Sequence, residues 1–63
     1  MNQKLVFIRM RHLTSIVGLS RSEIYRRVKD GQFPQPIQLG ARAIAWPSDR
    51  IEQWQFEQIR KSS

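Results

Sequence analysis

The sequence predicts a mainly α fold with a small β-hairpin, a winged helix-turn-helix of three short helices and a two-stranded wing. Three observations predict it. Ser20 and Glu23 have the spacing of a capping box, in which each side chain bonds the other's unpaired backbone N–H, and Gly31 offers the left-handed stop that ends the helix they start. Ile37-Gln38-Leu39 and Ala43-Ile44-Ala45-Trp46 flank Gly40-Ala41-Arg42, which reads as two short strands around a glycine-containing turn. Pro47-Ser48-Asp49 then opens a last helix, with Ser48 placed to cap it and Asp49 favouring its positive end.

Taken in order, Met1 to Lys4 is polar and expected to be loose, and Leu5-Val6-Phe7-Ile8 reads as a short strand or extended arm whose apolar side chains must pack somewhere. From Met10 to Val17, the residues Leu13, Ile16 and Val17 fall at helical spacing, so a first helix ending at Gly18 is expected, with no obvious N-terminal cap. After the tight Gly18-Leu19 turn the second helix runs about from Arg21 to Asp30. Ile24 and Val28 lie on its inner side, where they can meet Leu13 and Val17, with Leu19 closing the corner. Ser22, Arg26 and Lys29 point away, and Arg21 and Tyr25 lie on the flank between.

Beyond Gly31, Pro34 and Pro36 enforce an extended path, and Phe33 is a large apolar plug. In the last helix Ile51, Trp54 and Gln58 share a face with Ile59 at its margin. Phe56 lies on the wheel about 140° from Ile51, exposed and placed to contact another protein chain. Trp46 and Trp54 are expected in the core rather than as stacking platforms, because a domain this small needs their buried area.

A chain of 63 residues is expected to be one domain spanning 1–63, with a core from about 5 to 60 and frayed ends such as Lys61-Ser62-Ser63. With no cysteine there is no disulfide, zinc finger or thiol nucleophile to draw on, and His12, the lone histidine, is expected in solvent rather than on a metal. Paired carboxylates on one face, a phosphate-binding glycine loop and a serine or cysteine with a matching histidine are all missing, so neither an enzyme nor a cofactor is expected. Leu5 to Ile8 is the longest apolar run, too short for a signal peptide core or membrane span, so a cytoplasmic location is expected.

The net charge is +6, and residues 1–29 carry all of it: Lys4, Arg9, Arg11, Arg21, Arg26, Arg27 and Lys29 against Glu23, while the remainder holds four charges of each sign. Such an excess around a short exposed helix is the footprint of a polyanion binder. A membrane surface attracts the same charge, but it needs bulky apolar residues opposite the cations, and the second helix offers Ile24 and Val28 alone. The competing reading of that helix is a solvated surface, and that of Arg42 an ordinary charged hairpin tip.

The run from Gly18 to Trp46, followed by a helix containing Trp54, resembles the AlpA family of small phage and prophage transcriptional regulators, which are related in fold to MerR-type and excisionase DNA-binding domains. The resemblance covers roughly residues 8 to 59. It is carried by Gly18-Leu19-Ser20-Arg21-Ser22, Ile24-Tyr25-Arg26, Gly31 through Phe33-Pro34, Pro36-Ile37, and Arg42 with Ala45-Trp46. It implies a reading helix bearing Arg21, Ser22, Tyr25 and Arg26 and a wing bearing Arg42. It also implies a transcriptional activator, often of an integrase gene, with excisionase-like members nearby. Arg27 stands where an aliphatic residue is usual and must snorkel outward or find a partner, and Gln55 replaces a commonly apolar residue.

Together these readings describe a sequence-specific regulator that binds double-stranded DNA. Arg21, Ser22, Tyr25, Arg26 and Lys29 meet the major groove, and Arg42, with Arg9 and Arg11 nearby, holds phosphates or a narrow minor groove. The alternative of the same class is an excisionase that bends DNA for an integrase rather than recruiting RNA polymerase. Self-association on DNA is compatible with either. A third reading, of a different class, is a protein-interaction module whose basic face meets an acidic partner, with Phe56 at the contact.

Overall fold

The computed structural model describes residues 4–62; residues 1–3 and Ser63, expected to be loose, lie outside the described residues. The elements follow in the order β1 (Phe7–Ile8), α1 (Met10–Val17), α2 (Arg21–Lys29), β2 (Ile37–Gly40), β3 (Ala43–Pro47) and α3 (Ser48–Lys61).

Both helix-turn-helix segments end where glycine allows. Gly18 adopts a left-handed φ of 72° and its N–H donates to the Thr14 carbonyl, closing α1. No side chain caps the start of α1 at Arg9. In α2 the capping box is complete: the Ser20 hydroxyl accepts the Glu23 amide at 3.2 Å, and the Glu23 carboxylate accepts the Ser20 amide at 3.1 Å. The helix ends at Lys29 with Asp30 as its cap, and Gly31 turns the chain with a φ of 76°.

Met10, Leu13, Ile24, Phe33, Trp46 and Ile51 form one buried cluster, and Val17, Leu19, Val28 and Trp54 pack half-buried around it. Leu13 and Ile24 are fully buried where α1 crosses α2, each worth about 1.5–3 kcal/mol of apolar burial. Ile16, at helical spacing with Leu13 and Val17, is exposed and faces the arm and α3. The extended segment after α2 is locked from both sides. Trp46 Nε1–H donates to the Pro34 carbonyl at 2.7 Å, and Trp54 Nε1–H donates to the Gln32 carbonyl at 3.2 Å. Phe33 sits between the two indoles, edge-to-face with both.

The two strands of the wing are joined by the N-terminal arm in a three-stranded sheet, in the order β1-β3-β2 with both pairings antiparallel. Phe7 pairs with Pro47 and Ile8 with Trp46, so the N-terminal arm becomes an edge of the wing sheet. One further step of pairing changes the expected role of Ser48. Its amide donates to the Val6 carbonyl at 2.8 Å and its hydroxyl accepts the Val6 amide at 3.0 Å. The hydroxyl is therefore spent on the arm and does not cap α3; Ser48 is the first helical residue and Pro47 occupies the cap position without a side-chain bond.

The arm's apolar side chains do not find the cover expected of them. Leu5, Val6 and Phe7 remain 60%, 55% and 57% exposed, because the arm is held by backbone pairing at a sheet edge and only Ile8 reaches the core. At the wing tip, Gly40 pairs with Ala43, leaving Ala41-Arg42 as the turn, and the register shifts between Gln38 and Gly40. Left-handed φ values are confined to Gly18 and Gly31 among the described residues, so this turn is not one of the primed types, and the irregular register accommodates the mismatch.

Candidate nucleic-acid interface

The outward face of α2 is built by spacing alone. With Ile24 and Val28 turned inward, Arg26 points directly away from the core, and Ser22 and Lys29 lie beside it; all three are exposed. Asp30 and Glu23 are the carboxylates of this segment. Glu23 is occupied in its capping box, and its carboxyl is held below its ordinary value first by the Ser20 backbone N–H, with desolvation the next effect and opposing it, and then by the Ser20 hydroxyl, Arg27 and Arg26. The capping carboxylate thus remains charged beside the helix start, where it stabilises the positive end of α2.

Five of the eight residues singled out in the sequence come together on one flank of that helix. Arg21 and Tyr25 from α2, Arg42 from the wing tip, and Arg9 and Arg11 from the start of α1 line a single concavity, whose apolar lining is Met10 and Ile44. The capping box fixes where α2 begins and so aims Arg21; the β1–β3 pairing fixes Arg9, which directly follows β1; and the β2–β3 hairpin carries Arg42. Four guanidinium groups meet there, and among the described residues no carboxylate lines the same concavity. Ser22, Arg26 and Lys29 are not part of it and face the solvent next to it. The surface is therefore an outward helix face with a basic recess along one side.

His12 also lines this recess, and its Nε2 accepts from Arg11 Nε–H at a long 3.5 Å. Reading the sequence placed it in solvent, and it is exposed, but it stands within the basic group. The signal was its position three residues after Arg9 on the first turn of α1, a spacing that puts both at the same end of the helix.

Arg27 is half-buried on the opposite flank of α2, beside Trp54 and Glu57 of α3, which is how the chain accommodates a cation so near its core. Gln55, on α3, is half-buried on the side that faces the arm. Phe56 is exposed at 63%, as its wheel position predicts. Among the described residues no helix is long and apolar enough to cross a membrane.

The family described as prophage CP4-57 regulatory protein (AlpA) matches residues 6–59 of this chain. The uncharacterized protein ORF88 of Enterobacteria phage P4 is 34% identical over 53 residues, which are 84% of this chain and 60% of that protein. The chain thus spans about 60% of the length of this curated relative. Because the family match runs from the arm through both crossing helices and the wing into the last turns of α3, the chain belongs to the AlpA family of prophage regulatory proteins.

Proposed function

We propose that this chain is a sequence-specific double-stranded DNA-binding regulator of transcription in a phage or mobile element. The observation that carries the reading is the recess formed by Arg9, Arg11, Arg21 and Arg42 beside the outward face of α2, four cations with no carboxylate among the lining residues. Four cations this close repel one another, and a phosphate backbone neutralises them and releases counterions in the process. In this reading α2 enters the major groove, Arg26 reaches base edges, and the recess grips the adjoining backbone through Arg21 and Arg42.

The same surface serves either of two roles, activation of a promoter such as that of an integrase gene, or the bending of DNA for an integrase. A bend angle measured from the mobility of circularly permuted duplexes separates them. The test of DNA binding itself is a titration of random duplex at several salt concentrations. Affinity should fall with a log-log slope of about 0.9 per phosphate contacted, and a slope near zero removes the DNA reading in favour of a protein-interaction module.

A further inference from the structure

On α2, Tyr25 lies about 100° from Arg26 in one sense and Arg27 about 100° in the other, so the two flanks of the helix are distinct surfaces. The flank of Tyr25 faces the basic recess already described. The flank of Arg27 faces a second concavity, rimmed by Arg27, Arg50 and Lys61 and floored by Phe33, Pro34 and Trp54, in which Glu57 is the one carboxylate among the described residues. Three cations against one anion leave it positive.

A helix with its side chains is about 10–12 Å across and the major groove is about 12 Å wide, so a helix seated there presents both flanks to sugar-phosphate walls. Arg50 and Lys61 are eleven residues apart on α3, about 16 Å along its axis, a span suited to an extended polyanion rather than to a small ion. Both are exposed.

We propose that this second concavity is the seat of the other phosphate wall of the groove, so that α2 is clamped between Arg21 and Arg42 on one strand and Arg27, Arg50 and Lys61 on the other. The proposal rests on the DNA reading above. Glu57 opposes the clamp and limits its strength.

The test uses the full chain and one random duplex, titrated at about 50 and 200 mM salt, with the melting temperature of each variant measured alongside. The double variant Arg50→Ala/Lys61→Ala should make the salt slope shallower by about 1.8, so that its loss of affinity relative to the wild type is about twelvefold greater at the lower salt than at the higher. Glu57→Gln should tighten binding, a gain that a folding defect cannot imitate. Arg60→Ala removes the same charge next to Lys61 from outside the concavity and should leave the slope unchanged. A folded double variant with the wild-type slope overturns the clamp, as does an Arg60→Ala loss equal to that of Lys61→Ala. So does a Glu57→Gln variant whose affinity for DNA is unchanged while the concavity binds poly-glutamate. In each of those cases a steep wild-type slope leaves the DNA reading standing. A wild type with no salt-dependent binding removes both.

Discussion

The indole Nε1–H of Trp46 donates to the carbonyl of Pro34 at 2.7 Å, joining the middle of the sheet to the segment that leaves α2. The ring is fully buried and meets Phe33 edge-to-face with centroids 6.3 Å apart. It therefore contributes both apolar area and a direction-specific bond that fixes the exit path of α2.

Trp46→Ala is expected to cost about 3–5 kcal/mol, which a domain of this size does not survive at physiological temperature. Trp46→Phe keeps most of the area but leaves the Pro34 carbonyl without its donor, and should cost about 1–3 kcal/mol. Urea unfolding monitored by circular dichroism measures both. A Trp46→Ala variant with an unchanged midpoint would show that the sheet does not pack as described.

Arg26→Ala should lose about 1–3 kcal/mol of affinity for the operator and much less for random duplex, because Arg26 stands at the centre of the outward face. Arg42→Ala should weaken both duplexes by similar factors and make the salt slope shallower by about one, because in the proposed reading the wing tip meets backbone. An operator-selective loss confined to Arg42→Ala would exchange these roles and point to an arginine reading a narrow minor groove.

The capping box gives α2 a pH dependence. The Glu23 carboxyl is depressed below its ordinary 4.5, chiefly by the Ser20 backbone N–H, so its charged form contributes stability above pH 4.5 that is lost as the pH falls through the lower folded-state value. The stability gap between the wild type and Glu23→Gln should be open at neutral pH and narrow at acid pH, below the ordinary 4.5. Thermal melts at the two pH values check it, and a gap of constant size would mean that the carboxylate's charge is not what matters.

Gly31 holds a φ of 76°, so Gly31→Ala should cost about 1–2 kcal/mol through backbone strain although a Cβ there meets nothing within 4 Å. Gly40, at the wing tip, has the same open space without the left-handed φ, and Gly40→Ala should be neutral or stabilising by up to about 1 kcal/mol. Melting temperatures of the pair test these backbone conformations directly, since a larger loss for Gly40→Ala than for Gly31→Ala would place the left-handed residue at the wing tip instead.

Where the determining contacts are local, the sequence was sufficient. The start of α2 is decided by Ser20 and Glu23 and the end of α1 by Gly18, and these boundaries stand where the residues place them. Leu5 to Ile8 reads as a short strand or arm, but its joining the wing sheet is not legible, because its partner lies forty residues away, from Phe7 to Pro47, and the pairing runs through backbone groups that any sequence supplies. Ser48 was misassigned for a related reason. Its hydroxyl had two available donors, the first turn of α3 and the Val6 amide, and residue type alone does not rank them. The cations of the surface were all visible in the sequence, but the meeting of Arg9 and Arg11 with Arg42 depends on that same long-range strand pairing, and so does the place of His12 among them.

The pairing of β1 with β3 also sets an order of assembly. α1 and α2 are joined by a turn short enough for their contact to close early, whereas Phe7 and Pro47 must be brought together across most of the chain, which carries a larger loop-closure entropy and a slower approach. Arg9 lies at the hinge between that late strand and α1, so it meets Arg42 only after the sheet edge has docked. The basic recess is then the last part of the surface to form during folding and the first to dissolve in a partial opening. The Val6 amide, bonded to Ser48 at that edge, should exchange its hydrogen long before the helix interiors do.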